Sequence, residues 1–236
     1  MCGIFGWVSN QSEKYSIKPF KKNLYHRGPD KFNTVRINSH VLFGHTRLAI
    51  NDLSSLGSQP MIDKISQNAI VFNGEIYNFK RLRKELLGLG VKFEGKSDTE
   101  VLLKGYSIWG KSILDRIIGM FSFVIWDARE KLLFIARDRL GEKPCYFTNL
   151  KNGDFVFSSE LTPLKLMDGF NDEIDPNFLT EYLSYGYNSN NQCIYKNVKK
   201  MKPAHYLIVK DGKITEEVEY WKLSKFFKNK KKYKSI

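Results

Sequence analysis

The sequence predicts an α+β layered domain rather than a parallel, doubly wound sheet. Three observations predict it: short β-rich runs outnumber helical patterns, polar turns join several of those runs as hairpins, and strands and helices show no regular alternation. The first run begins almost at the first residue. In MCGIFGWVSN, Ile4, Phe5, Trp7 and Val8 read as a buried strand, so the amino terminus is predicted to lie inside the fold instead of fraying into water.

The remaining elements follow in order. TVRI (34–37), VLFGHTRLAI (41–50) and AIVFNG (69–74) are rich in β-branched and aromatic residues and read as strands. YNFKRLRKELLGLG (77–90) has helical spacing and ends on glycines. SDTEVLLKGYSIWG (97–110) is a second helix, opened by Ser97 and Glu100 as an S-x-x-E capping box. MFSFVIWD (120–127) and KLLFIARD (131–138) are strands joined by a polar turn, and DFVFSS (154–159) is another strand. DPNFLTEYLSYG (175–186) is a helix with Pro176 in its first turn, and HYLIVKDGKI (205–214) reads as a hairpin. There is no internal repeat. The domain is read as residues 2–221, and 222–236 as a basic tail or the start of a linker.

Composition narrows the function classes. At 236 residues with 42% hydrophobic content the chain can bury a sizeable core, which sets disorder aside. No run of about 18 apolar residues occurs and the first apolar stretch lacks a basic flank, so the expectation is a soluble, cytoplasmic protein with no membrane partner. Three cysteines, Cys2, Cys145 and Cys193, at unrelated spacings argue against a disulfide framework or a metal site. The formal charge of +13 raises nucleic acid as a partner, but seven lysines fall in KLSKFFKNKKKYKSI, leaving +6 on the rest. That tail has neither arginines nor a stacking platform, so it reads as a solvated face, with no nucleic acid expected.

Several polar motifs interrupt the apolar runs. HRGPD (26–30) is a Gly/Pro loop, GHTRLAI places Arg47 late in a strand, and FNGEIYN places Asn73, Gly74 and Glu75 between a strand and a helix. Each alone has a structural explanation: a turn glycine, an exposed strand arginine, and, for SDTE, a helix cap with an acid suited to the dipole.

Taken in order, however, MCGIFG, HRGPD, GHTRLAI, QPM, FNGEIYN, SDTEVLL, GMFSFVIWD, ARDRLGEKP, FSSE, GY and YW give a sequence that resembles the class II, N-terminal-nucleophile (Ntn) glutamine amidotransferases. The resemblance is strongest to the glutaminase domain of glutamine-hydrolysing asparagine synthetase and runs from about residue 2 to 221. It implies the family's Ntn-hydrolase architecture, a four-layer αββα sandwich of two mainly antiparallel sheets. It also implies that Met1 is removed, so that the Cys2 α-amine serves the thiol of its own residue. An unperturbed amine pKa of roughly 7.7 to 8.0 suits that task near neutrality, where a cysteine is a few per cent thiolate. A cysteine paired with His26 or His45 is the alternative mechanism.

By the same resemblance, the catalytic residues are Cys2, Asn73 and Gly74, the last two as oxyanion donors. L-Glutamine is bound by Arg47 at its carboxylate, by Asp98 with Glu75 at its ammonium, and by the backbone of the 47–51 stretch including Leu48, Ile50 and Asn51. No metal or other cofactor is implied for this domain. ATP and magnesium would belong to a synthetase domain, whose SGGxDS-like loop does not occur in these residues. The partner is then that ATP-dependent domain or a separate protein; a homodimer stays open. Where the family reads close to RDRFGIKPLYY, this chain has RDRLGEKPCYF, with Glu142 and Cys145 in place of apolar residues. Other acceptors, such as a sugar or secondary metabolite, and an inactive or regulatory homologue remain alternatives.

Overall fold

In the computed structural model, which describes residues 1–49, 54–188 and 192–227, two six-stranded sheets stack face to face with helices on their outer sides. In chain order the elements are β1 (Gly3–Val8), α1 (Lys18–Leu24), β2 (Lys31–Arg36), β3 (Val41–Arg47), β4 (Met61–Ile62), β5 (Ala69–Ile76), α2 (Phe79–Gly88), α3 (Asp98–Trp109) and α4 (Ile113–Arg116). They continue with β6 (Gly119–Asp127), β7 (Leu132–Arg137), β8 (Tyr146–Asn149), β9 (Phe155–Ser158), α5 (Leu161–Lys165), α6 (Pro176–Tyr185), β10 (Lys199–Lys200), β11 (His205–Lys210), β12 (Lys213–Glu219) and α7 (Ser224–Phe227). One sheet runs β10-β8-β9-β1-β3-β2 and the other β12-β11-β7-β6-β5-β4, with every pair antiparallel. This is the predicted αββα sandwich. No helix among the described residues is long and apolar enough to cross a membrane.

The two-residue period of a strand sorts side chains between layers. In β5, Ala69 and Val71 enter the space between the sheets, whereas Ile70, Phe72 and Ile76 pack under α2 and α3. In β3, Val41 and Phe43 face between the sheets and Leu42 faces α1. In β7, Leu133 and Ile135 point inward, and Phe134 and Ala136 toward the helices. In β1, Ile4 points inward while Phe5 and Trp7 pack against α1, Phe5 stacking on Phe20 with ring centroids 4.3 Å apart. That contact explains α1, which the sequence pattern did not predict: only Phe20 and Leu24 of KPFKKNL are buried. The four-residue strand β8 was too short to leave a periodic signal.

Two expectations change in detail. The strand read over 69–74 runs on to Ile76, so that Glu75 lies inside β5 with Asn73 and Gly74, because β6 pairs with the strand along its whole length, from Ala69↔Trp126 to Ile76↔Gly119. Gly74 belongs there since a Cβ would meet the Met120 carbonyl oxygen at 2.1 Å. The capping box at α3 is half formed. Ser97 Oγ accepts from Glu100 N at 3.2 Å, but the Glu100 carboxylate accepts from Glu94 N (2.7 Å) and Gly95 N (2.8 Å), tying down the preceding loop. The described part of the strand predicted over 41–50 ends at Arg47, and Ile50 lies outside the described residues, as do 228–236 of the basic segment.

Packing of β1 on β3 leaves no room at Gly44, where an added Cβ would stand 2.0 Å from Phe5 Cζ. Gly44→Ala is expected to cost about 1–3 kcal/mol, read from urea unfolding midpoints; an unchanged midpoint would show that the Phe5 stack yields freely.

Candidate active site

At one end of the sandwich the inward-facing rows turn from apolar to polar. The positions that continue Val41–Phe43 are His45 and Arg47, those that continue Ala69–Val71 are Asn73 and Glu75, Val124 is followed outward by Ser122, and Ile135 by Arg137. Asn73, Ser122 and Arg137 are direct cross-strand partners, so three buried polar side chains share one row on one face. A pocket of about 110 Å³ opens at this end, and Cys2, Arg47, Leu48, Asn73, Gly74, Glu75 and Asp98 all line it. Every described residue assigned to the site from sequence is therefore brought together; Ile50 and Asn51 lie outside the described residues.

The amino terminus is fixed by side chains from distant segments. Arg27 Nε donates to the Cys2 carbonyl oxygen (3.0 Å) while its Nη1 pairs with Glu160 (2.9 Å). Gly3 N donates to Thr46 Oγ1 and Ile4 N to Ser159 Oγ, both at 3.0 Å. The HRGPD loop thus acquires a role that its sequence did not disclose. Arg27 holds Cys2, Gly28 lets the loop lie against β3, where a Cβ would be 2.4 Å from the Thr46 carbonyl, and Asp30 accepts from Ala49 N (2.8 Å).

The Cys2 thiol sits 3.4 Å from Leu48 N and 3.6 Å from Leu48 O. Burial pushes its pKa up, and the Leu48 backbone contact, the amino terminus, Arg47 and Arg27 only partly oppose this. Its resting form is therefore more strongly the thiol than composition alone suggests, and it needs a base. Neither candidate histidine bonds to it. The His26 ring is exposed and paired with Glu160 at 2.8 Å. His45 is buried, neither of its ring nitrogens makes a well-formed hydrogen bond, and burial holds its pKa down at about 3, with the Phe72 backbone offsetting this only in part.

Two open donors face the same space. Asn73 Nδ2 is buried and has no hydrogen-bond partner among the described residues. Strand β4 covers only Ala69 and Ile70, so beyond them the outward N–H groups of β5, which recur at every second residue, need other partners. Phe72 N donates to Gln59 Oε1 (2.6 Å) and Ile76 N to Asp98 Oδ2 (3.0 Å). Gly74 stands between them on that edge. Its pair partner Phe121 spends its own N–H on Asp138 Oδ2 (3.2 Å) and its carbonyl on Asp138 N (2.8 Å).

Charge is divided across the pocket. Arg47 Nη1 donates to Ser54 O (2.9 Å), which fixes the guanidinium at one side. Opposite in sign, Asp98 is oriented by Ile76 N and by Thr99 N (2.9 Å), yet burial and then the nearby Glu75 charge leave its pKa raised. A cationic group arriving there would relieve both effects. Sequence reading missed Gln59, Thr99 and Lys143 as pocket residues, and His45, raised as an alternative partner for the cysteine, lines the pocket without bonding to the thiol. The QPM and ARDRLGEKP motifs were the available signals, but neither names a partner. Cys145, which with Glu142 replaces an apolar residue in RDRLGEKPCYF, is fully buried core, and burial lifts its thiol to about 11, as fits a packing residue; Glu142 is exposed.

The sequence profile described as a glutamine amidotransferase domain matches residues 1–221. Asparagine synthetase (glutamine-hydrolyzing) 3 of Bacillus subtilis is 41% identical over 220 residues, covering 90% of this chain and 35% of that protein. A putative asparagine synthetase (glutamine-hydrolyzing) 2 of Methanocaldococcus jannaschii is 34% identical, covering 94% of this chain and 47% of that protein. The chain thus spans between about a third and a half of these relatives' length. Among solved structures, a glutamine phosphoribosylpyrophosphate amidotransferase from B. subtilis superposes with a TM-score of 0.67 at 19% identity, over 93% of this chain and 49% of that one, a likeness of fold.

The buried, neutral His45 makes stability depend on pH. Below the unfolded imidazole pKa the unfolded chain binds a proton that the folded chain refuses until about pH 3, so stability falls as pH falls through that window. Between about pH 7.5 and about 4.5 the wild type is expected to lose roughly 2–3 kcal/mol more than His45→Gln in urea unfolding; parallel losses would show that His45 is protonated in the fold.

Proposed function

The chain belongs to the glutamine amidotransferase domain family, and from that premise we propose that it hydrolyses glutamine to glutamate and ammonia through a Cys2 thioester, supplying ammonia for asparagine synthesis. The observation that carries the reading is the convergence, in one pocket, of the half-buried Cys2 thiol with the unpartnered Asn73 carboxamide and the edge N–H of Gly74.

On this reading Met1 is removed and the Cys2 α-amine takes the thiol proton. The thiolate attacks the side-chain carbonyl carbon of glutamine, and the tetrahedral oxyanion is met by Asn73 Nδ2 and Gly74 N–H. The protonated amine returns its proton to the leaving nitrogen, the C–N bond breaks and ammonia departs. Water then attacks the thioester, with the amine again as base, and releases glutamate. Arg47 presents a planar fork to the α-carboxylate, Asp98 and Glu75 face the α-ammonium, and Leu48 positions the sulfur through its backbone.

The acceptor chemistry lies elsewhere. We assign ATP, magnesium and aspartate to a synthetase domain or partner protein, and place the reaction in the cytoplasm, with no cofactor bound by this domain. The asparagine synthetase relatives support that acceptor, being matched over 90% and 94% of this chain.

Incubated with glutamine, the processed chain is expected to release glutamate and ammonia at the same rate with or without ATP and aspartate, and to form no asparagine; Cys2→Ala should be inactive while folded. Asparagine made by this chain alone would refute the assignment. In steady-state assays Asn73→Ala should lower kcat by about 10²–10³ with KM changed little, and a loss confined to KM would make Asn73 a binding residue instead.

A further inference from the structure

Lys143 is 5% exposed, a rare state for a lysine, and lines the pocket together with Met1 and Cys2. Its ammonium donates to Met1 Sδ at 3.1 Å, a weak acceptor, and no carboxylate among the described residues pairs with it. The backbone holds it there. Lys143 N donates to Asp138 Oδ2 (3.0 Å), Lys143 O accepts from Arg137 Nε (2.7 Å), and the same guanidinium donates to the carbonyl oxygens of Gly141 and Met201. The side chain is therefore kept in the site by its own backbone.

We infer that Lys143 is a positioning residue for the amino-terminal base: its side chain, buried in the pocket that Cys2 also lines and fixed there by the backbone bonds of its own loop, keeps the Cys2 α-amine in its unprotonated form at neutral pH. The inference rests on the free-amine reading above. Arg27 and Arg47 also place positive charge near Cys2, and Lys143 adds to them from the loop after β7. Arg27 is matched by Glu160, which also takes His26; Arg47 is directed at Ser54 O; His45 is neutral; and Glu75 and Asp98 favour the protonated amine. Against those two carboxylates, Lys143 is the opposing charge from the loop that packs on the terminus. A cation that shares a partly buried pocket with the amine disfavours the ammonium form of that amine.

The test uses the processed enzyme labelled with ¹⁵N-cysteine, in which Cys2 supplies the one labelled amine, and compares wild type, Lys143→Met and Lys143→Arg. The amine is titrated by NMR, and kcat/KM for glutamine is measured from about pH 6 to about pH 9.5. In Lys143→Met both the amine titration and the acid limb of kcat/KM should move up by about one pH unit, a roughly tenfold loss on the acid side that vanishes on the alkaline plateau. Lys143→Arg should restore both. If Lys143→Met does not fold, as judged by near-UV circular dichroism, Lys143→Gln is read in the same way. An unmoved amine titration, or a rate loss equal at every pH, would overturn the inference and make Lys143 structural. A wild-type amine whose titration does not match any limb of the rate profile would instead remove the base assignment, a separate and earlier failure.

Discussion

The structure depends on one constraint, the immobilisation of a chain terminus. Termini ordinarily fray because nothing repays the entropy of ordering them. Here β1 is a central strand between β3 and β9, and its first residues are bonded to Arg27, Thr46 and Ser159. Phe5 and Trp7, fully buried on the outer face, add the apolar anchor. On the proposed reading a nucleophile on residue 2 is useful only if it is held as firmly as a core side chain, and these hydrogen bonds and apolar contacts achieve that.

A second consequence of the sandwich is that one layer does two jobs. The space between the sheets is apolar along most of its length, filled by Phe43, Val71, Val124 and Ile135, and becomes polar where the same rows reach His45, Asn73, Ser122 and Arg137. The site is thus a continuation of the core, and its residues inherit the rigidity of strands. Behind it, Asp138 gathers the N–H groups of Phe121, Leu140, Glu142 and Lys143, while Arg137 collects three carbonyl oxygens, so the loop after β7 is fastened from both signs of charge. Tyr220 closes this end by donating to the Arg137 carbonyl oxygen at 2.8 Å.

The electrostatics follow from burial more than from pairing. Desolvation raises Cys2, raises Asp98 and lowers His45, so each group is pushed toward its neutral form at rest. On the proposed reading, a zwitterionic amino acid brings the missing charges with it: its carboxylate meets Arg47 and its ammonium meets Asp98 and Glu75. Binding energy from that end of the substrate then orients the amide at the other end over the thiol.

Much of this was legible in the residues themselves. Alternating apolar runs set the strands and their inward faces, and Ser97 and Pro176 marked helix starts, because period and residue type are local properties; the pocket residues from Cys2 to Asp98 were named by the family resemblance of their motifs. What the sequence could not determine is who holds whom. Ile4 finds Ser159 across 155 positions, Arg27 finds Glu160 across 133, and Lys143 reaches Met1 across 142. Glu75 and Ile76, beyond the apolar run that ends at Gly74, are strand because β6 runs beside them. The sequence by itself determined which residues could do the chemistry; only the tertiary structure decided which of their donors stay open, since a donor is open or closed according to partners that the fold brings from far along the chain.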